Sequence, residues 1–217
     1  PVDTMNTPTH MLIGAAVFAR PIVPSTLVAA MLGGLAPDVP MFALVLFSTR
    51  LVGIPQHEVF GDLFYSDSWQ AIFAVDHSFF VWGLLLALGH WRLHLILTAF
   101  AGAGFLHAAT DFVTHHDDAR RQFWPVSDWV FRSPVSYWDP NYYGGIIGVV
   151  ELGLVLFATA FLCWRHRKLW QRVVIVFIGV YAMESPVDSL VSPGADQVER
   201  ERPIRTRGLV LPMWGQD

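Results

Sequence analysis

The chain alternates apolar stretches with short polar joints. Apolar runs occupy Ile22 to Ala36, Phe79 to Leu88, Leu95 to Phe112, Gly144 to Cys163 and Val173 to Met183. Most approach or fall somewhat under the roughly 20 residues that a helix needs to cross hydrocarbon. Leu95 to Leu106 holds no charged residue, whereas a helix on the surface of a soluble protein carries a polar outer face. The pattern predicts an all-α fold, a polytopic membrane helical bundle of about five or six spanning or half-spanning helices, some short or broken by proline.

Pro21, Pro24, Pro37 and Pro40 cut the first half into short predicted helices, Thr9 to Ala19, Ser25 to Ala36 and Met41 to Val52. Such breaks are tolerated in a membrane where the freed backbone is buried in protein or lines a polar cavity. Residues 54–68 read as an amphipathic connector. Residues 114–143 read as a longer polar loop whose Trp124, Trp129 and Trp138 resemble an interfacial aromatic belt. Beyond Met183 the sequence turns polar and rich in Pro, Gly and Arg, which divides the chain into a membrane domain at 1–183 and an exposed polar tail at 184–217. Arg20, Arg92, Arg165, Arg167, Lys168 and Arg172 are expected to share a cytoplasmic face, with the loop holding His115 to Asp118 on the other.

Composition agrees with the pattern: 53% of residues are hydrophobic, 15% are charged and mean hydropathy is +0.43. A net charge of −4 offers no basic field for nucleic acid, and the Arg-rich stretch at 199–207 alternates with acid. The single cysteine, Cys163, forms neither an intrachain disulfide nor a thiolate metal site. Residues 1–9 lack the basic start of a cleavable signal peptide, so the first helix is expected to stay in the protein.

Candidate chemistry concentrates at the ends of the apolar runs. His107, Asp111 and His115 are spaced by four and form one helical stripe, with the small residues Gly104 and Ala108 on the adjoining turn. Imidazole and carboxylate on one stripe suit a metal ion, and an ionisable group inside a membrane is costly unless paired or functional. Thr9 and His10 open the first helix, Asp38 follows Pro37, and Asp76 and His77 precede Phe79 to Leu88. Blander roles stay open for each residue: a hydrogen-bonded structural pair for His107 and Asp111, an interfacial cap for His10, an N-cap for Asp38, a solvated loop for His115 to Asp118. Glu151 lies inside an apolar run as a catalytic base or a structural hydrogen-bonding group. There is no G-x-S-x-G elbow, phosphate-binding Gly-rich loop or HExxH helix.

The stretches THMLIGAA from Thr9, LAPDVP from Leu35, DHSFF from Asp76, LHAATDFVT from Leu106 and FWP from Phe123 occur in an order that resembles the LexA-regulated, inner-membrane-associated metal-dependent hydrolases. That family runs through Thr-His or Gly-His, Pro-Asp-x-Asp, His-Arg-x-x-Thr-His-Ser, Ser-His-x-x-x-Asp and Trp-Pro. The resemblance covers residues 7–125 and implies His10, Asp38, His77, His107 and Asp111 as metal ligands. Pro40 stands where the second acid of Pro-Asp-x-Asp belongs, Ile72 where the first His of the His-Arg element belongs, and Asp76 in place of its Thr. His115, His116, Asp117 and Asp118, which directly follow the stripe, are the candidates to compensate, and His115 joins the expected metal ligands.

The resulting expectation is a hydrolase of the bacterial inner membrane that uses one or two divalent ions, zinc foremost, to activate water against a lipid or lipid-linked ester, a phosphoester foremost. Asp76 and Glu151 are the candidate proton acceptors, and Arg120 and Arg121 are candidates for holding an anionic part of the substrate. A non-catalytic accessory protein with a degenerate site and a transporter with a polar path remain competing classes.

Overall fold

The structure, a computed structural model, describes residues 7–183; the expected polar tail lies outside the described residues. Among those residues the protein is a helical bundle with no β-strand. In chain order the helices are α1 (Thr7–Phe18), α2 (Ser25–Leu35), α3 (Val39–Leu46), the single turn α4 (Gln56–Glu58), α5 (Asp67–Asp76), α6 (Phe79–Trp91), α7 (Leu95–Thr114), α8 (Gly144–Arg165) and α9 (Leu169–Ala182). Four segments are long and apolar enough to cross a membrane: Ser25–Val52, Asp67–Trp91, Leu95–Thr114 and Gly144–Arg165. Their outward side chains are apolar, with Leu51, Leu84 and Phe157 all exposed. This is the surface of a membrane protein.

The prolines do not separate the second and third predicted helices. Ser25–Val52 runs as one segment of 28 residues, with Pro37 in a 3-10 turn, Ala36–Asp38, and Pro40 in the first turn of α3. A proline in a first turn forfeits an N–H that has no intrahelical partner there. At 1.5 Å per residue the segment is about 42 Å long, against a hydrocarbon core of about 30 Å. It ends in a π-helical turn, Phe47–Val52, closed by Gly53 at a left-handed φ of 81°. The run Phe79 to Leu88 is likewise only part of a 25-residue segment, Asp67–Trp91. His77 and Ser78 form its joint, and Ser78 Oγ caps α6 by accepting from Phe80 and Val81 N–H.

Two packed layers meet at these joints. In the larger layer α1, α2 and α7 approach closely through small residues: Gly14 faces Ala103, and Gly33 faces the Phe100 carbonyl. Its core contains Leu12, Leu27, Ala103, Val155, Leu162 and Ile175. The smaller layer joins α3, α5 and the 54–66 connector around Met41, Val59, Phe64, Trp69 and Phe73. The break at Ala36–Asp38 therefore sits where Ser25–Val52 passes from the larger core to the smaller, and that at His77–Ser78 where Asp67–Trp91 passes from the smaller core to a third cluster of Trp82, Ala101 and Ala108 against α7. Arg165 Nη1 donates to the Ala16 carbonyl, so the C-terminal ends of α1 and α8 lie together, away from the end of the bundle where α1 begins and α7 finishes.

Candidate metal centre

Five polar side chains from four parts of the chain converge where the two layers meet. His10 comes from the second turn-forming residues of α1, Asp38 from the 3-10 turn, His77 from the joint after α5, and His107 and Asp111 from the last turns of α7. All five are buried, His77 and His107 each to 1% exposure. They form two overlapping groups, His10 with His107 and Asp111, and Asp38 with His77 and His107. Within each group the ligand atoms lie within 4.8 Å of one another.

The first coordination-like set is built from two imidazoles and two carboxylates. His77 Nε2 stands 3.3 Å from Asp111 Oδ2 and 3.8 Å from Asp38 Oδ1. His107 Nε2 stands 3.2 Å from Asp111 Oδ2 and 3.6 Å from Asp38 Oδ1. For four ligands held tetrahedrally at about 2.0–2.1 Å, neighbouring donor atoms stand about 3.3–3.4 Å apart. The four imidazole–carboxylate separations, 3.2 to 3.8 Å, lie around that value. On the other oxygen of Asp111, His10 Nε2 approaches Oδ1 to 3.2 Å and His115 Nε2 to 3.5 Å.

Each imidazole is oriented through its other nitrogen. His107 Nδ1 bonds the Gly34 carbonyl at 2.7 Å, and a carbonyl only accepts, so Nδ1 carries the proton there. His77 Nδ1 meets Asp76 Oδ1 at 2.6 Å. His10 Nδ1 meets Thr110 Oγ1 at 3.0 Å, and that hydroxyl already donates to the carbonyls of Leu106 and His107. Asp38 is steadied by Thr7, whose Oγ1 donates to Oδ2 at 2.5 Å, leaving Oδ1 for the two imidazoles. Protons on Nδ1 leave the Nε2 lone pairs aimed at carboxylate oxygens. Accordingly His77 Nε2, His107 Nε2 and Asp111 Oδ1 are buried without any hydrogen-bond partner. Two lone pairs facing each other in a dry interior repel, and a cation between them resolves the conflict.

The sequence-predicted residues divide by place. Asp38 makes no capping hydrogen bond to α3; its carboxylate serves the cluster instead. Asp76 sits behind His77 as an orienting carboxylate. His115 touches Asp111 from outside the first set, and its Nδ1 lies 2.8 Å from Asp118 Oδ2. Burial alone would depress the His115 pKa, but the Asp111 and Asp118 carboxylates outweigh it and push it up to about 9. Burial raises the Asp118 carboxyl, yet His115 foremost and then Arg120 bring it below the ordinary value. Glu151 Oε1 accepts from Thr9 Oγ1 at 2.6 Å, tying α8 to α1 beside His10. Arg120 is buried, whereas Arg121 makes a peripheral pair with Asp128 at 3.3 Å.

Thr7, Thr110 and the Gly34 carbonyl were not among the expected site residues. Thr110 had a signal, since it lies three residues after His107 on the same helix; the Gly34 carbonyl had none, because any residue carries one. Ser78 Oγ donates to the Trp124 carbonyl at 2.5 Å, so the DHSFF and FWP stretches, far apart in sequence, meet at the joint. No family model matches the chain, and no curated protein or solved structure is significantly similar to it.

Proposed function

We propose that the protein is a membrane-embedded hydrolase that holds a divalent ion, zinc by its donor set, between His77, His107, Asp38 and Asp111. Its substrate is a lipid or lipid-linked phosphoester. The observation that carries the metal is the pair of orphaned Nε2 atoms, on His77 and His107, aimed at carboxylate oxygens while each Nδ1 is already committed. Two nitrogens and two oxygens at these separations suit zinc, which takes imidazole and carboxylate in tetrahedral sites. When bound, such an ion lowers the pKa of a water ligand toward about 7 and polarises a phosphoryl or carbonyl oxygen.

The chain's own residues do the positioning. Asp76, Thr110 and the Gly34 carbonyl hold the three imidazoles in one tautomer, as outer-shell partners of metal ligands do. Burial between two apolar cores excludes bulk water, and the membrane spans bring lipid to the same depth. The motif order shared with the inner-membrane hydrolases supports the same reading. Of its three departures, Ile72 is 40% exposed on α5, so a histidine there would point away from the cluster and its absence removes no ligand. The positive-inside rule favours the Arg20, Arg92 and Arg165 end as cytoplasmic, with the cluster toward the opposite leaflet.

Elemental mass spectrometry on detergent-purified protein, followed by a screen for phosphate release from lipid phosphomonoesters and diesters, tests this reading. Near-stoichiometric zinc together with zinc-dependent release is the expected result. Folded protein that takes up no divalent ion even after supplementation would sink it.

A further inference from the structure

The loop after α7 carries a buried cation that the metal centre does not use. Arg120 is 4% exposed, with its guanidinium carbon 4.7 Å from the ring centroid of Phe64 and 4.6 Å from that of Phe73. Two aromatic rings against the guanidinium hold its plane in place. Its Nε and Nη1 are buried with no hydrogen-bond partner. Asp118 lies within its field; the carboxylate pairs through Oδ2 with His115 at 2.8 Å and makes no hydrogen bond to Arg120, its Oδ1 being without a partner as well. A buried guanidinium with unsatisfied donors is costly, and the cost is relieved when an anion occupies them.

Its location connects it to the cluster. Phe73 lies one helical turn ahead of His77 on the same helix, and the chain around Arg120 is fastened to that joint. Phe79 N–H donates to the Gln122 carbonyl at 2.9 Å, and Ser78 Oγ donates to the Trp124 carbonyl. The Gln122 side chain, 1% exposed, likewise has neither amide atom partnered. Arg120 thus rests on the helix that delivers a ligand, on the side where His115 and Asp118 extend outward from Asp111.

We propose that Arg120 is the anion-recognition residue of this site, binding a phosphate group of the substrate while the His and Asp cluster acts beside it; the proposal rests on the hydrolase reading above. A planar guanidinium fork matches phosphate oxygens in pairs, which an ammonium does not. Phosphate is the anion that the hydrolase reading supplies, and it offers paired oxygens to the unpartnered Nε and Nη1 of Arg120. Arg121, peripheral and paired with Asp128, takes no part.

The test is isothermal titration of zinc-loaded, detergent-solubilised full-length protein with inorganic phosphate, with dihexanoylphosphatidate and with acetate. Wild type is compared with Arg120→Gln, Arg120→Lys and Arg121→Gln, with metal content and melting temperature recorded for each. Arg120→Gln is expected to weaken phosphate binding about 10- to 100-fold, the effect of losing hydrogen bonds to a charged group, with zinc retained. Arg120→Lys should fall between it and wild type, and Arg121→Gln should match wild type. Tighter binding of the phosphatidate than of inorganic phosphate assigns the site to a lipid headgroup, and equal binding assigns it to a free phosphate; both support Arg120. Unchanged phosphate affinity in a folded, zinc-loaded Arg120→Gln protein overturns the proposal, as does acetate binding as tightly as phosphate. Arg120-dependent phosphate binding in a protein that takes up no metal refutes the hydrolase reading and leaves the anion site standing.

Discussion

His77 Nε2 and Asp111 Oδ2 face each other across 3.3 Å without a hydrogen bond, although both are buried and His77 Nδ1 is already bonded to Asp76. His107 repeats the arrangement from the other side, its Nδ1 on the Gly34 carbonyl and its Nε2 3.2 Å from the same Asp111 oxygen. A network built only to tie helices together would pair donors with acceptors. Here the Nδ1 atoms of both imidazoles are bonded while their Nε2 atoms face carboxylate oxygens without a hydrogen bond, an arrangement that could hold a metal ion.

Asp111 is the residue on which the centre depends, since His10, His77, His107 and His115 all approach its two oxygens. Asp111→Asn keeps the shape and removes the charge. Zinc affinity should fall by more than about 100-fold, beyond the range of outer-shell changes. Elemental analysis after dialysis against a weak chelator reads this directly, and a variant that keeps stoichiometric zinc would remove Asp111 from the ligand set.

Asp76 should behave differently. Because it reaches the centre only through His77, Asp76→Asn is expected to weaken zinc by about 10- to 100-fold while full loading remains attainable at high zinc. Competition with a fluorescent chelator gives the affinity. No change would make the 2.6 Å contact to His77 incidental, and complete loss of loading would make Asp76 a ligand itself.

The sequence made the clustered His and Asp residues more legible than the continuity of the helices. The spacing of His107 and Asp111 on an apolar helix, and the placing of His10, Asp38 and His77 at the ends of apolar runs, identify residues that the fold brings together. The continuity of the long segments was not legible. Pro37 and Pro40 read as a stop, yet both fall where a 3-10 turn and a fresh helix start need no N–H from them. Residues 67–76 mix polar with apolar positions and so show no spanning signal, although they complete the segment that ends at Trp91. Arg120 and Arg121 both read as candidates for holding an anionic group, and nothing in the sequence separates them. Only the fold reveals that Phe64 and Phe73, both distant in sequence, enclose it.

Gly34 links helix packing to the centre. A Cβ there would stand 2.6 Å from the His10 carbonyl oxygen, and the Gly34 carbonyl itself orients His107. Gly34→Ala must push α1 from α2, displacing two histidines at once. The expected cost is about 1–3 kcal/mol, as for overpacking in a core, together with weakened zinc. Gly145→Ala is the control, since a Cβ at Gly145 meets nothing within 4 Å. Melting temperatures and zinc content of the two variants should diverge; equal behaviour would mean that α1 and α2 yield without strain.

His115 provides a pH signature of the metal-free protein. Its pKa is raised from 6.5 to about 9 because Asp111 and Asp118 outweigh the effect of burial. A histidine whose folded pKa is raised binds its proton more tightly in the native state, so it contributes stability in full below about pH 6.5. That contribution declines as pH climbs through about 9. Asp118 faces it at 2.8 Å and Asp111 at 3.5 Å, and Asp118, held below its ordinary pKa, stays ionised over this window. The difference in melting temperature between wild type and His115→Gln, each stripped of metal, should therefore shrink across that range as wild type loses its advantage. Titrating groups that do not touch His115 are common to both proteins and cancel in the difference. A difference that stays constant with pH would show that His115 does not carry its proton in the folded protein.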